Sequence, residues 1–372
     1  MPNNAIDYIT IQGFKSIASI EKLPLRPINV VIGPNGSGKS NFVGTFNFLH
    51  DICAARLQEY VTAAGGAEKV LHFGSKNTKQ IEMHLVFCHA NGWPDGAAGY
   101  KLILSPSTDD SLFPSAEATY LDGPSPTRLT PRALGREAGI SDRKTEFEAK
   151  FVRAHLEKWR LYHLNDTSLS SPMRKTAKVD DNRFLRPDGA NLPAFLYLLQ
   201  EKHSDSYNLI LRTVQRVAPF FDDFQLAPLR LRPDDTKLEW RHKKSDQYFD
   251  ASSLSDGTLR FIALATLFLQ PEQYRPSVIL VDEPELGLHP YALEVLAALV
   301  RQASVTTQVI VSTQSSLLLD HFEPEDVLVA DRIDGGTQLT RLDSKQLAKW
   351  LEDYSLGQLW EKNELGGRPV PA

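Results

Sequence analysis

The segment IDYITIQGF, residues 6–14, sets Ile6, Tyr8 and Ile11 among polar neighbours, and this alternation predicts a strand. INVVIG, residues 28–33, is apolar without alternation and predicts a short strand buried on both faces. GFKSI turns the chain between them. A helical pattern runs through SNFVGTFNFLHDICAARLQEYV, and IEMHLVF (81–87) and YKLILS (100–105) predict an antiparallel pair. From Ser105 to about Ser141 the Pro, Gly, Ser and Thr content rises, which predicts a surface loop or a weakly ordered insertion. KTEFEAKFVRAHLEKWRLYHL, NLPAFLYLLQEK and YNLILRTVQRVAPFF have the spacing of amphipathic helices. Residues 106–220 are therefore expected to be a mostly helical insertion.

Beyond it, LEWRHK and DQYFDA predict a hairpin, and a helix opens at SSLSDGTLRF. The strand SVILVDE, a helix through PYALEVLAALVRQ and the strand QVIVSTQ follow, and LLLDHF, DVLVADR and TQLTRL complete the chain. The expected organisation is an α/β domain formed by 1–105 and 221–372 and interrupted by 106–220. No internal repeat is evident, and no heptad run is long enough for a coiled-coil arm.

With 372 residues, 42% of them hydrophobic and 23% charged, the chain can bury a core without staples. Cys53 and Cys88 have neither the number nor the spacing for a disulfide framework or a zinc site, as expected of a reducing cytoplasm. The N-terminus lacks a basic segment followed by an apolar one, and no run approaches the ~18 apolar residues that span a bilayer. A cytoplasmic protein without a membrane partner is expected. The net charge of −5 gives no global attraction to nucleic acid, so contact with DNA would need a local patch or a dimer groove.

Chemistry enters at Gly33-Pro34-Asn35-Gly36-Ser37-Gly38-Lys39-Ser40, which fits G-x-x-x-x-G-K-[ST] between a buried strand and a helix. Such a loop wraps phosphates with its backbone N–H groups, while Lys39 reaches the β/γ oxygens and Ser40 holds Mg²⁺. SVILVDEPELGLHP adds a second element, an apolar strand ending in Asp282 and Glu283. Buried charges at a strand end need a partner, and a Mg²⁺ ion bridging nucleotide phosphates is one. Asp282 would hold that metal, and Glu283 would orient and deprotonate the attacking water.

Leu254-Ser255-Asp256-Gly257-Thr258 admits two readings, an ordinary helix cap or an anion site built from the same N–H groups. Its place before Asp282 decides between them, because LSDGT there resembles the LSGGQ signature of ATP-binding-cassette proteins. ELGLHP then stands at that class's D-loop, with His289 an interface residue, and Gln314 stands where transporter cassettes carry a switch histidine. GFKSI, GKSN, LSDGT and DEPELGLHP narrow the resemblance to the RecF/SMC-like branch, specifically its compact AAA-family ATPases. YHLNDTS and the Gly189-Ala-Asn-Leu segment extend it over nearly the whole chain.

The resemblance implies a P-loop fold with a mixed sheet, flanking helices and an antiparallel subregion. It implies ATP and Mg²⁺ as ligands, with Asn35 to Ser40 and Asn41 at the phosphates. It further implies Ser255 and Gly257 as signature contacts in an ATP-dependent homodimer. Two positions depart from the transporter pattern. Asp256 replaces a glycine, and Gln314 supplies a neutral amide that can donate to a γ-phosphate oxygen but cannot titrate. Lys15 and Ser16 resemble the turn that touches nucleotide in this class. For the Q-loop glutamine, Gln58 and Gln80 both fit by position. Arg174, Lys175, Lys178, Arg183 and Arg186 alternate with aspartates, and a solvated face is expected rather than a DNA patch.

The first functional reading is an ATP-driven switch acting on DNA in repair or against foreign DNA. A second is a regulatory ATPase that controls a separate nuclease or toxin. The ATPase half also resembles OLD-family proteins, which continue into a nuclease domain, whereas no acidic cluster for nuclease metals follows Gln314 here. A transporter's nucleotide-binding subunit is a third reading, opposed by Gln314 and the long insertion.

Overall fold

The computed structural model describes residues 5–88, 98–121, 127–128, 135–142 and 147–366. Its centre is a six-stranded sheet in the order Gly336–Arg341, Val327–Ile333, Ile28–Ile32, Gln308–Ser312, Val278–Asp282 and Arg160–Tyr162. All neighbours are parallel except the first pair, which forms a hairpin. The interior strands read as unbroken apolar runs because both faces are covered. Val31, Val278, Leu280, Ile310, Leu328 and Ala330 face one hydrophobic core, while Val30, Ile279, Val281, Val309, Val311, Val327 and Val329 face the other. Successive side chains thus serve opposite cores, as strand geometry requires.

A second six-stranded sheet, wholly antiparallel, runs Ile17–Pro24, Ile6–Phe14, Ile81–Phe87, Ala98–Pro106, Leu112–Leu121 and Thr127–Arg128. It shares one core with the helix Lys39–Cys53, which buries Phe42, Phe46, Phe48 and Leu49 there. Gln308, fully buried, exchanges hydrogen bonds with both backbone groups of Ile6 and so joins the two sheets. The other core gathers the helices Leu192–Lys202, Ser204–Val217, Asp256–Leu269 and Pro290–Ser304 on the opposite face of the parallel sheet.

Five expectations are corrected. Within the stretch read as a loop from Ser105 to Ser141, Leu112–Leu121 is a strand, because its pairing with Ala98–Pro106 satisfies a backbone whose Ser, Thr and Pro content gave little signal. The helical pattern after Ser40 breaks at Ala54–Arg56, where Ala55 takes a positive φ of 58°, and resumes as Leu57–Ala64. In the stretch read as one helix from Lys144 to Leu164, the described residues are helical over Phe147–Leu156, and Arg160–Tyr162 is instead an edge strand beside Val278–Asp282. Residues 106–220 are accordingly no separate helical body: their strands complete both sheets. Arg174, expected on a solvated face, has a side chain only 5% exposed.

Candidate nucleotide site

The strand Ile28–Ile32 ends at Gly33, and Gly36 (φ 81°) and Gly38 (φ 101°) take left-handed backbone on the way to Lys39. Gly38 stands at the helix N-terminus with no side chain capping the first turn. Free N–H groups and the positive dipole end are thus presented together, which is the composition of an anion site. A Cβ on Gly38 would come 1.9 Å from Thr337 Oγ1, so only glycine fits. Thr337 in turn donates to Ser37 O at 2.9 Å and shares a 2.7 Å hydrogen bond with Ser16, which also accepts from Asn41 Nδ2 at 2.7 Å. Ser16 therefore lies against the loop, and Lys15 before it has a left-handed φ of 49°.

Lys39 is 6% exposed and donates to Gly33 O at 2.7 Å and Pro34 O at 3.0 Å. Burial pushes its pKa down, against an opposing pull from Glu283, Asp282 and Glu285. Those acids leave the end of Val278–Asp282, separated from the phosphate-loop strand only by Gln308–Ser312, which pairs with both. The register sets Asp282 beside Ser312, and Glu283 donates its N–H to Ser312 O at 2.8 Å. Glu283 has a φ of 46°, a costly conformation for a residue with a Cβ and one concentrated at functional sites.

Gln314 reaches this centre at once. Its Nε2 donates to Glu283 Oε1 at 2.6 Å, and its backbone N–H donates to Glu285 Oε1 at 3.0 Å. Burial raises the pKa of Glu285, and its Oε2 is buried without a hydrogen-bond partner. Ser37 Oγ and Ser312 Oγ are buried orphans as well. These unmatched oxygens and the N–H cradle suit a phosphate-bearing ligand with a cation. Among the described residues no group of three or more His, Cys, Asp and Glu could hold a metal. Asp282 and the exposed Ser40 fit the role of a Mg²⁺ site completed by phosphate oxygens, which needs one or two protein ligands.

The signature helix Asp256–Leu269 begins differently. Ser255 caps it, accepting from Thr258 N at 3.2 Å. A Cβ on Gly257 would lie 2.2 Å from Gly287 O, so the signature glycine lets the D-loop backbone close against the helix. Ser255 and Asp256 are exposed, and their side chains bond Thr258 and Arg174 rather than the phosphate loop. His289 accepts from Tyr291 N and caps the helix Pro290–Ser304.

The segment 163–175, which carries part of the resemblance but no expected site role, lies beside this centre. His163 follows the edge strand Arg160–Tyr162 and its Nδ1 lies 3.9 Å from Asp282 Oδ2. Arg260 of the signature helix donates to Leu164 O at 3.0 Å and Asn165 O at 2.8 Å, and Arg174 pairs with Asp256 at 2.9 Å. One stretch thus touches both the acidic strand end and the signature turn. Its sequence signals are the motif YHLNDTS and the basic pair Arg174 and Lys175. Of the two glutamines that fit the Q-loop by position, Gln58 donates to Leu112 O and Arg136 O, and Gln80 is exposed beside Gly13 of the antiparallel sheet.

Residues 28–320 match the family described as "AAA domain, putative AbiEii toxin, Type IV TA system". No curated protein matches the chain. Among solved structures, the SMC head bound to the C-winged helix domain of ScpA is similar at TM-score 0.63 and 17% identity, over 93% of this chain and 99% of that one. The Pyrococcus furiosus SMC head with an extended coiled coil, bound to the C-terminal domain of ScpA, gives 0.59 and 15% over 95% and 99%. The Pyrococcus yayanosii SMC head with a coiled coil and joint gives 0.56 and 13% over the same shares. These similarities establish the fold as that of SMC-type P-loop ATPase heads. Among the described residues no helix is long and apolar enough to cross a membrane.

Proposed function

This chain belongs to that AAA-domain family and has the ABC-type ATPase head fold, and from this premise we propose that it is an ATP-hydrolysing switch that closes as a homodimer over two nucleotides. The observation that carries the reading is the pairing of an uncapped helix N-terminus at Gly38 and Lys39 with two carboxylates leaving the adjoining end of the sheet. The loop N–H groups bind the phosphates, and Lys39 exchanges its loop carbonyls for phosphate oxygens. Ser40 and Asp282 would hold Mg²⁺, which when bound would offset the charge that gathers on the phosphates. Glu283 accepts a proton from the attacking water, and Gln314 fixes that carboxylate through its 2.6 Å hydrogen bond.

The exposed signature turn supplies the second half of the reading. Ser255 and Gly257 contact the γ-phosphate bound by another copy, as the resemblance to cassette ATPases implies. The output is defence against foreign DNA or DNA repair, and the description of the family as a toxin of a toxin–antitoxin system favours defence. The same description supports the variant in which the ATPase governs a separate effector.

Mixing inactive variants tests the composite site. Lys39→Ala removes a phosphate cation, and Ser255→Arg sets bulk where the γ-phosphate must approach. Each is expected to be inactive, and a mixture is expected to recover part of the ATPase activity through heterodimers with one intact site. A mixture as inactive as its components, with subunit exchange and ATP-dependent dimerisation both demonstrated, would refute two independent composite sites.

A further inference from the structure

Asp256 is an unexpected residue at a turn meant to approach a phosphate. Its side chain is 65% exposed and carries a negative charge at the first position of the signature helix. An acid there complements the helix dipole and needs no partner for that purpose. Yet an arginine 82 residues earlier in the chain is brought to it.

The environment of Arg174 is built for this contact. Its Nε donates to Thr167 O at 2.9 Å, Nη1 donates to Ala251 O and to Leu254 O, and Nη2 donates to Leu254 O at 3.2 Å and to Asp256 Oδ1 at 2.9 Å. Backbone carbonyls therefore orient a guanidinium that is almost wholly covered, and Asp256 is its ion-pair partner. A planar fork held on several sides keeps its charge in one place, which a flexible surface lysine cannot do. Arg260 lies on the same helix and adds a second positive charge that interacts with Asp256.

We propose that Arg174 is a positioning residue of the signature turn: it neutralises Asp256, so that the N-terminus at Ser255 to Gly257 can approach the γ-phosphate held by a second copy of this chain. The inference rests on the composite-site reading above. A bare carboxylate facing a polyanionic nucleotide would repel it, and the repulsion would grow as the closing interface excludes water. The ion pair removes the net charge while the helix N–H groups remain free to face the phosphate.

The test is ATP-dependent dimerisation of the full chain, followed by sedimentation in Mg²⁺ and ATP with Glu283→Gln in every protein to suppress turnover. Arg174→Met retains the buried stem without the charge and is expected to weaken dimerisation roughly tenfold. Asp256→Asn alone is expected to dimerise at least as tightly as the parent. The double variant is expected to recover to within about threefold of Asp256→Asn, because no charge is left to neutralise. A double variant as weak as Arg174→Met would show that the arginine acts only through the carbonyls of 251–254, overturning the inference. Should Arg174→Met not fold, Asp256→Asn decides: a tenfold weaker dimer would make the carboxylate itself the required group. A parent that never dimerises with ATP overturns the composite site and this inference together. A dimerising parent with an unaffected, folded Arg174→Met overturns the inference alone.

Discussion

Two helix N-termini in this molecule follow glycine- and serine-rich turns, and the fold treats them in opposite ways. At Gly38 no side chain caps the helix, and Lys39 lies across the loop's own carbonyls. At Ser255 a serine hydroxyl caps the first turn, and the next residue carries a charge paired with Arg174. The first end is prepared to take an anion. The second carries a side-chain cap and an ion pair supplied by its own chain. The short 3₁₀ turn Gly139–Ser141 shows an acceptor already in place: Glu117 accepts from Gly139 N at 2.6 Å and Ile140 N at 2.9 Å. There the anion is supplied by the protein.

The largest expected effect tests the first end. Glu283→Gln is expected to bind ATP but lose 10²–10⁴-fold in turnover, read as phosphate release. Retention of most activity would mean that the base lies elsewhere and that Glu283's left-handed backbone has another cause.

Gly257→Ala probes the second end. The added methyl would meet Gly287 O at 2.2 Å, so the D-loop must move, and ATPase activity is expected to fall at least tenfold with nucleotide binding at Lys39 retained. Equal loss of nucleotide binding would show that the two ends are not separable.

A pair of serines separates the two ends by stability. Ser255→Ala removes a cap and is expected to cost about 1 kcal/mol in urea unfolding. Ser37→Ala removes a buried hydroxyl without a partner and is expected to leave stability unchanged or raised, while weakening ATP binding. Matching stability losses would erase the distinction between a self-satisfied end and one awaiting a ligand.

The smallest effect concerns Glu117, whose pKa is raised, first by burial, against hydrogen bonds from Ile140, Tyr100 and Gly139 that lower it. Its folded pKa above the unfolded one means that the folded chain binds the proton more tightly. The stabilising contribution is complete below the unfolded pKa and declines as pH rises through the folded one. Glu117→Gln removes this dependence, so the stability difference between parent and variant is expected to shift in the variant's favour as pH rises from 4.5. A difference constant with pH in unfolding titrations would mean that the carboxylate's pKa is the same in both states.

Legibility followed the locality of the signal. The phosphate loop and the Asp282-Glu283 pair were readable because strand, turn and helix follow one another in sequence, and only glycine tolerates the backbone at Gly36 and Gly38. The strand Leu112–Leu121 was not, since its Ser, Thr and Pro content resembles a loop and its pairing partner supplies the evidence. The resemblance puts Gln314 at a switch position, whereas its bond to Glu283 depends on the fold that brings residues 283 and 314 together.

The sequence by itself determined the phosphate loop, the buried strands of the parallel sheet and the helix that opens at Ser255, because each depends on neighbours within a few residues. Tertiary structure alone decided that residues 160–162 extend the sheet, that His163 reaches Asp282, and that Arg174 serves Asp256 rather than solvent. These contacts join residues 82 or more positions apart, and a charge on a polar segment looks the same in sequence whether it faces water or a partner. Folding distinguishes the two, because a guanidinium can be covered only where carbonyls and a carboxylate replace the water it loses.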